Sequence, residues 1–309
     1  MDVGYRARRG DVYEELRPLL FSVAYRMVGS VSEAEDIVQE AFLRFHRETS
    51  QGASIDSPKA WLTTVTTRLS INHVRSARVR RERYVGAWLP EPLVTDPAPD
   101  ASQHAETADS LSMAFLVLLE SLSPVERAVF LLREVFDYDY GEIANVIRKR
   151  EDNCRQIAAR ARRQVESKRP RFEASRARRE ELSRLFFEAI GKGDAQGLVR
   201  LLAADVVAYV DGGGKAAVTF PRPFYGAEHV ARLLGAWAPG GDRFAVSGVR
   251  LVEINGQPGA MFLGLDGRVG LVVCLDIADG LVQAVRAISN REKLRHVDPS
   301  AGVPWQIVA

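Results

Sequence analysis

The sequence predicts a multidomain chain: two all-α domains followed by an α+β domain whose strands form one curved sheet. Three observations predict this. Helical periodicity runs from residue 12 to about 168, broken once by a proline-rich acidic stretch. Beyond residue 180, helical segments give way to short β-runs punctuated by glycine. Charge is segregated along the chain although the net value is only +2. The expected divisions are 1–86, a linker at 87–107, a second helical domain at 108–179, the α+β domain at 180–298 and a tail at 299–309.

A chain of 309 residues with 46% hydrophobic content buries substantial cores. No run approaches the ~18 apolar residues of a membrane span, and the first residues lack the apolar stretch of a signal peptide. The expected place is the cytoplasm, with no membrane partner. Cys154 and Cys274 lie far apart, which suits a reducing compartment and offers no metal-ligand spacing. No metal and no cofactor are expected.

In the first domain, Ser32 followed by Glu35 reads as a capping box, and Ala34, Ile37, Val38, Ala41, Phe42 and Phe45 form an apolar stripe. Asp36, Gln39 and Glu40 fall on the opposite face. Ser57-Pro58 starts a long helix with Trp61, Leu62, Val65 and Leu69 as its core side. From Arg68 to Arg83 this segment carries six arginines and one acid, Glu82, with Asn72 and His73 among them. That half is a candidate nucleic-acid surface.

Residues 87–107 carry four acids, no lysine and no arginine. Prolines make this stretch an extended linker, yet Trp88-Leu89-Pro90-Glu91-Pro92 places two large apolar residues in it. A free tether has no use for them, so they are expected to dock.

In the second helical domain, Ser123, Pro124 and Glu126 make a capping box, with Val125, Ala128, Val129, Leu132 and Val135 at core spacing. A short helix is expected over 140–147. After a turn at 148–151, a further helix buries Ile157, Ala158, Ala161 and Val165 and faces Asn153, Arg155, Gln156, Arg160 and Arg163 outward. Two short helices joined by a tight turn, the second basic and polar on its free face, read as a helix-turn-helix. Arginine, asparagine and glutamine are the side chains that pair with guanine and adenine edges in the major groove. Residues 148–179 carry 13 basic against 4 acidic residues, the electrostatic footprint of a nucleic-acid contact.

The last domain opens with two amphipathic helices and a strand, then a third helix and four strands expected to run antiparallel. The stretch "VDGGGKAAV", 210–218, resembles a phosphate loop only superficially. Its glycines are consecutive, and a strand rather than a helix follows Lys215, so no helix N-terminus faces a phosphate. Tyr209, Asp211, His229 and Asp276 are the polar candidates for acid–base chemistry here, without a recognisable spacing. A small-molecule sensor and a protein-contact module are the other readings.

"AEDIVQEAFLRFHR", "SPKAWLTTVTTRLSINHVR" and "LSPVERAVFLLREVFDYDYGEIANVI" resemble regions 2 and 4 of extracytoplasmic-function (ECF) RNA polymerase sigma factors. The final part resembles the SnoaL-like branch of the NTF2-like cone fold. With "WLPEP" in the linker and "DGGGK" in the last domain, the chain is similar to the ECF41 group. The resemblance implies a non-enzymatic sigma factor modulated by its fused SnoaL-like domain in place of a separate anti-sigma factor. It implies that Asp36, Gln39 and Glu40 grip the clamp helices of the largest polymerase subunit, with a further contact at the flap. Arg68, Asn72, His73, Arg75 and Arg78 would meet the unpaired minus-ten element. Asn153, Arg155, Gln156, Arg160 and Arg163 would read the minus-thirty-five element.

Trp88, Leu89 and Pro90, Asp211, Gly212, Gly213, Gly214 and Lys215, and Asn290, Lys293 and Leu294 would form regulatory contacts of the last domain with the linker and region 2. Two departures stand out. The family's closing "NPDKL" is here Asn290-Arg291-Glu292-Lys293-Leu294, without the proline. The family's turn glycine and capping serine are here Arg148 and Arg150; a non-glycine in a left-handed turn costs roughly 1 kcal/mol, so an altered turn is expected. The alternative for the whole chain is a ligand-responsive regulator that binds duplex DNA without polymerase.

Overall fold

A computed structural model describes residues 3–81, 84, 86–95, 110–167, 175–214, 220, 222–235 and 246–305, without the side chains of 3–11, 78–81 and 305. In chain order its elements begin with α1 (Val3–Val28), α2 (Val31–Ser50), α3 (Pro58–Arg81), β1 (Val94–Thr95), α4 (Met113–Leu119), α5 (Pro124–Glu134), α6 (Tyr140–Ile147) and α7 (Glu151–Glu166). They continue with α8 (Arg176–Gly191), α9 (Ala195–Leu201), β2 (Leu202–Asp211), β3 (Phe224–Tyr225), α10 (Ala227–Gly235), β4 (Val246–Ile254), β5 (Gln257–Gly264), β6 (Val269–Ala278), β7 (Leu281–Ile288), α11 (Arg291–Leu294) and β8 (Val303–Trp305). The chain divides into two compact units, Met1–Glu82 with Leu118–Arg169, and Arg83–Val117 with Pro170–Ala309.

The first unit is all helical. Helix α2 is capped two residues earlier than expected: Ser30, not Ser32, accepts the Glu33 amide at 3.2 Å, and Ser32 lies inside the helix. The apolar stripe of α2 buries Ala34, Ile37, Val38 and Ala41 against α1 and α3. Trp61, Val65 and Leu69 of α3 are half-buried, and the fully buried positions are Leu62, Thr63, Thr66, Thr67 and Ser70. The core side of α3 is therefore rotated toward its threonines. Thr63 meets the Tyr138 hydroxyl at 3.0 Å inside this unit. The guanidinium of Arg127, buried in α5, donates to the Met27 carbonyl at 2.6 Å and to Glu120 at 2.8 Å.

Helices α5, α6 and α7 share a core of Val129, Leu132, Ile143, Val146, Ile157 and Ala158. Both ends of α6 have identifiable causes. Asp139 and Glu142 form a capping box at its start, and Arg148 ends it in the left-handed conformation, at φ 53°. The turn thus keeps the geometry that usually calls for glycine, with arginine holding it. At the start of α7, Arg150 makes no side-chain capping bond.

The second unit is built on an eight-stranded sheet in the order β1-β4-β5-β6-β7-β2-β3, with β8 added on β4. β4 to β7 form an antiparallel meander, but β2 pairs parallel with β7, so the sheet is mixed rather than uniformly antiparallel. One face packs on α8, α9 and α10 through Phe186, Leu198, Val230, Val273 and Val285. The other face is covered by Leu89, Met113, Leu294 and Val297. Both faces being buried explains why β6, VGLVVCLDIA, reads as a nearly continuous apolar run. Residues of the expected linker and tail join this sheet. Val94 and Thr95 pair with Ile254 and Glu253, and 303–305 pair with β4.

Candidate functional site

Three polar faces of the first unit contain sequence-predicted site residues. On α2, Asp36 and Gln39 are exposed, and Glu40 is held by Arg44 at 2.7 Å. On α3, Asn72 and Arg75 point to solvent, while the Nδ1 of His73 lies 3.3 Å from Glu33. Arg68 is directed differently. Its Nε donates to the Val146 carbonyl and its Nη2 to the Asn145 carbonyl, both at 2.8 Å, satisfying the C-terminal carbonyls of α6. Burial, and then the charge of Arg148, lower the Arg68 pKa from its ordinary value. The side chain of Arg78 lies outside the described residues.

On α7, Asn153, Arg155, Gln156, Arg160 and Arg163 are all exposed along one face, while Cys154, Ile157, Ala158 and Ala161 are buried on the other. Arg155 pairs with Glu151 and with Asp152 and lies 5.4 Å from the Tyr140 ring centre. This pre-orders its guanidinium near the start of the helix. The arrangement presents amide and guanidinium groups along a helix that follows a tight turn, the geometry of a major-groove reader.

The second unit contains a buried clamp. Asp211, at the end of β2, is fully buried. One carboxylate oxygen accepts the Tyr84 hydroxyl and, at 3.1 Å, the Gly213 amide; the other accepts the Leu89 amide at 2.8 Å and the Lys293 ammonium at 2.7 Å. Lys293 also donates to the Leu89 carbonyl and lies 4.5 Å from the Trp88 ring centre and 5.0 Å from that of Tyr84. Burial foremost, then the bond to Asp211, pushes the Tyr84 phenol well above its ordinary pKa. The structure thus brings Trp88, Leu89, Asp211, Asn290 and Lys293 together, with Leu294 and Pro90 buried nearby in the same unit.

The glycines serve the clamp indirectly. Gly213 and Gly214 take φ of 62° and 71°, and a Cβ on Gly213 would stand 2.4 Å from the Asn290 amide nitrogen. Asn290 donates to the Tyr84 hydroxyl at 2.9 Å. The glycine loop therefore packs on the residue that orients the tyrosine. Lys215 lies outside the described residues.

Asn255 is a residue of this site that sequence reasoning missed. It is fully buried at φ 53°, in the hairpin between β4 and β5. Its Oδ1 accepts the Leu93 amide at 2.9 Å and its Nδ2 donates to the Leu111 carbonyl at 3.0 Å, so one side chain holds two points of the segment between α3 and α4. The Asn-Gly pair marks a hairpin turn in the sequence, but not the side chain's inward aim. His296, bonded to the Pro92 carbonyl at 2.8 Å, was missed for the same reason.

The polar candidates for catalysis do not converge. His229 is exposed on α10, and Asp211 is committed to the clamp. Asp276 is paired with Arg286 at 2.7 Å, and that guanidinium lies 4.9 Å from the centre of the Tyr209 ring.

A helix-turn-helix with an outward polar face, in a chain that also carries a helices-on-sheet domain, has the layout of a DNA-binding transcription protein. The family model Sigma-70 region 2 matches residues 12–80, and Sigma-70, region 4 matches 112–165. The ECF RNA polymerase sigma factor SigJ of Mycobacterium tuberculosis is 38% identical over 294 residues, 91% of each chain. A probable ECF sigma factor of the same organism, SigI, is 37% identical over 197 residues, 63% of this chain and 67% of that one. The crystal structure of M. tuberculosis SigJ superposes with a TM-score of 0.71 at 35% identity, covering 92% of this chain and 97% of that chain. The chain belongs to the extracytoplasmic-function RNA polymerase sigma factors. It is an alternative sigma factor, and membership in this family implies RNA polymerase and promoter DNA as its partners. Among the described residues, no helix is long and apolar enough to cross a membrane.

Proposed function

We propose that the exposed polar faces divide the work of initiation and that the fused NTF2-like domain modulates it by holding the segment between regions 2 and 4. Asp36, Gln39 and Glu40 bind the polymerase clamp helices. Asn72 and Arg75, with His73 and Arg78, hold the unpaired minus-ten strand by cationic and stacking contacts. Arg68 joins them once its bonds to α6 open. Asn153, Arg155, Gln156, Arg160 and Arg163 read the minus-thirty-five element.

The observation that carries the regulatory reading is the clamp: Asp211 and Lys293 grip Leu89 from both sides of its peptide groups, and Asn255 grips Leu93 and Leu111. Fixing both ends of this segment limits the reach of the chain that joins the two promoter-reading regions. A promoter-dependent transcription assay with core polymerase and the full chain tests the proposal. Replacing Asp36, Gln39 and Glu40 together by alanine abolishes core binding, whereas Asp211→Asn alters transcript yield with core binding retained. Unchanged yield from Asp211→Asn would overturn the modulating role.

A further inference from the structure

Within the first unit, α3 and the turn after α6 enclose a cavity of about 490 Å³ whose lining includes Arg44, Arg68, Arg75 and Arg148, together with Asn72. No acidic residue lines it, and the carboxylate nearest by bonding is Glu40, already spent on Arg44. Arg68 keeps Nη1 after giving Nε and Nη2 to the α6 carbonyls. Arg75 and Arg148 are exposed and form no ion pair among the described residues. Burial first, and then the charge of Arg148, lower the Arg68 pKa, so these two guanidiniums repel each other across the concavity. Arg148 is also the residue that holds a left-handed turn against its own preference. Glycine would hold the turn without strain, so the guanidinium at this position is maintained at a conformational cost.

We propose that this cavity is a binding site for a small phosphate-bearing polyanion, held by Arg68, Arg75 and Arg148 while the helical unit is closed. Planar guanidiniums match phosphate oxygens in paired hydrogen bonds, and two phosphates in one ligand would neutralise the cluster. The bound anion ties α3 to the turn after α6 and keeps the Arg68 bonds closed. It thereby competes with a promoter strand for Asn72 and Arg75. The competition rests on the minus-ten assignment above; the ligand site does not.

Inorganic pyrophosphate added to the full chain at low ionic strength, without polymerase, tests the site by thermal denaturation and calorimetric titration. The wild type and Arg148→Lys should show a saturable rise in melting temperature. Arg148→Gln should bind about tenfold more weakly, the usual effect of losing one charge-assisted contact. Arg148→Gly should do the same while melting above the wild type in the absence of ligand, because its turn is unstrained. That opposite movement separates lost binding from lost folding. Absence of any saturable shift in the wild type would overturn the proposal. So would equal binding by Arg148→Gly, or protection by a single-stranded oligonucleotide but not by pyrophosphate. None of these failures bears on core-dependent transcription, which is measured separately.

Discussion

The outward face of α7 and the buried face of the sheet beneath residues 86–95 use the same kinds of side chain to opposite ends. On α7, Asn153, Gln156 and Arg160 are exposed, and the Arg155 pairs have about half of the arginine side chain in water. Such pairs contribute roughly 0–1 kcal/mol, so this face is nearly free to change without unfolding the protein. In the clamp, Asp211 is 0% exposed and Lys293 8%. Removing one member of a buried pair strands the other, at about 3–5 kcal/mol. The difference teaches that polar residues held for an external partner and polar residues held for the chain itself are told apart by what covers them.

The strongest way to break the comparison is Lys293→Met in the full chain. It leaves the Asp211 carboxylate buried without its cation and should destabilise the second unit by about 3–5 kcal/mol in denaturant unfolding. Combining it with Asp211→Asn should cost less than the sum of the two single changes, because neither charge is then orphaned. Additive effects would show that the two groups act independently.

On the other face, Gln156→Ala should leave stability within about 0.5 kcal/mol. If α7 reads the minus-thirty-five element, promoter-dependent transcription should nonetheless fall about ten- to hundredfold, the loss of one paired base contact. A matching loss of stability would mean that this face serves the fold instead.

The smallest expected effect is a pH dependence. The Tyr84 pKa is raised above its ordinary 10.0, so the folded chain favours the neutral phenol. Its contribution is fully present below that value and is lost as pH rises through the folded pKa. Protection of the Leu89 amide against hydrogen exchange, corrected for its intrinsic pH dependence, should hold up to about pH 10 and decline progressively above it. Tyr84→Phe should flatten that change, and an unchanged profile would remove Tyr84 from the clamp.

Much of the helical unit was legible in the sequence because its signals are local. Ser123, Pro124 and Glu126 announce the start of α5, and apolar spacing alone separates Ile157 and Ala161 from Gln156 and Arg160. Residue type does not place the start of α2, because Ser30 and Ser32 both suit a cap and backbone geometry chooses between them. In the sequence Arg68 is indistinguishable from the other arginines of a basic run. Its diversion to the α6 carbonyls depends on a contact 77 and 78 positions away in the chain.

The sequence by itself determined the succession of elements, the outward face of α7 and the apolar character of the strands, all of which follow from spacing within a few residues. Only the tertiary structure decided that β2 joins β7 in parallel, that 94–95 and 303–305 extend the sheet, and that Asp211 takes Lys293 as its cation. It also decided that Asn255 closes on both Leu93 and Leu111. The physical reason is the same throughout. A buried polar group must find its partner wherever the fold brings one within about 3 Å, and separation along the chain places no limit on where that is.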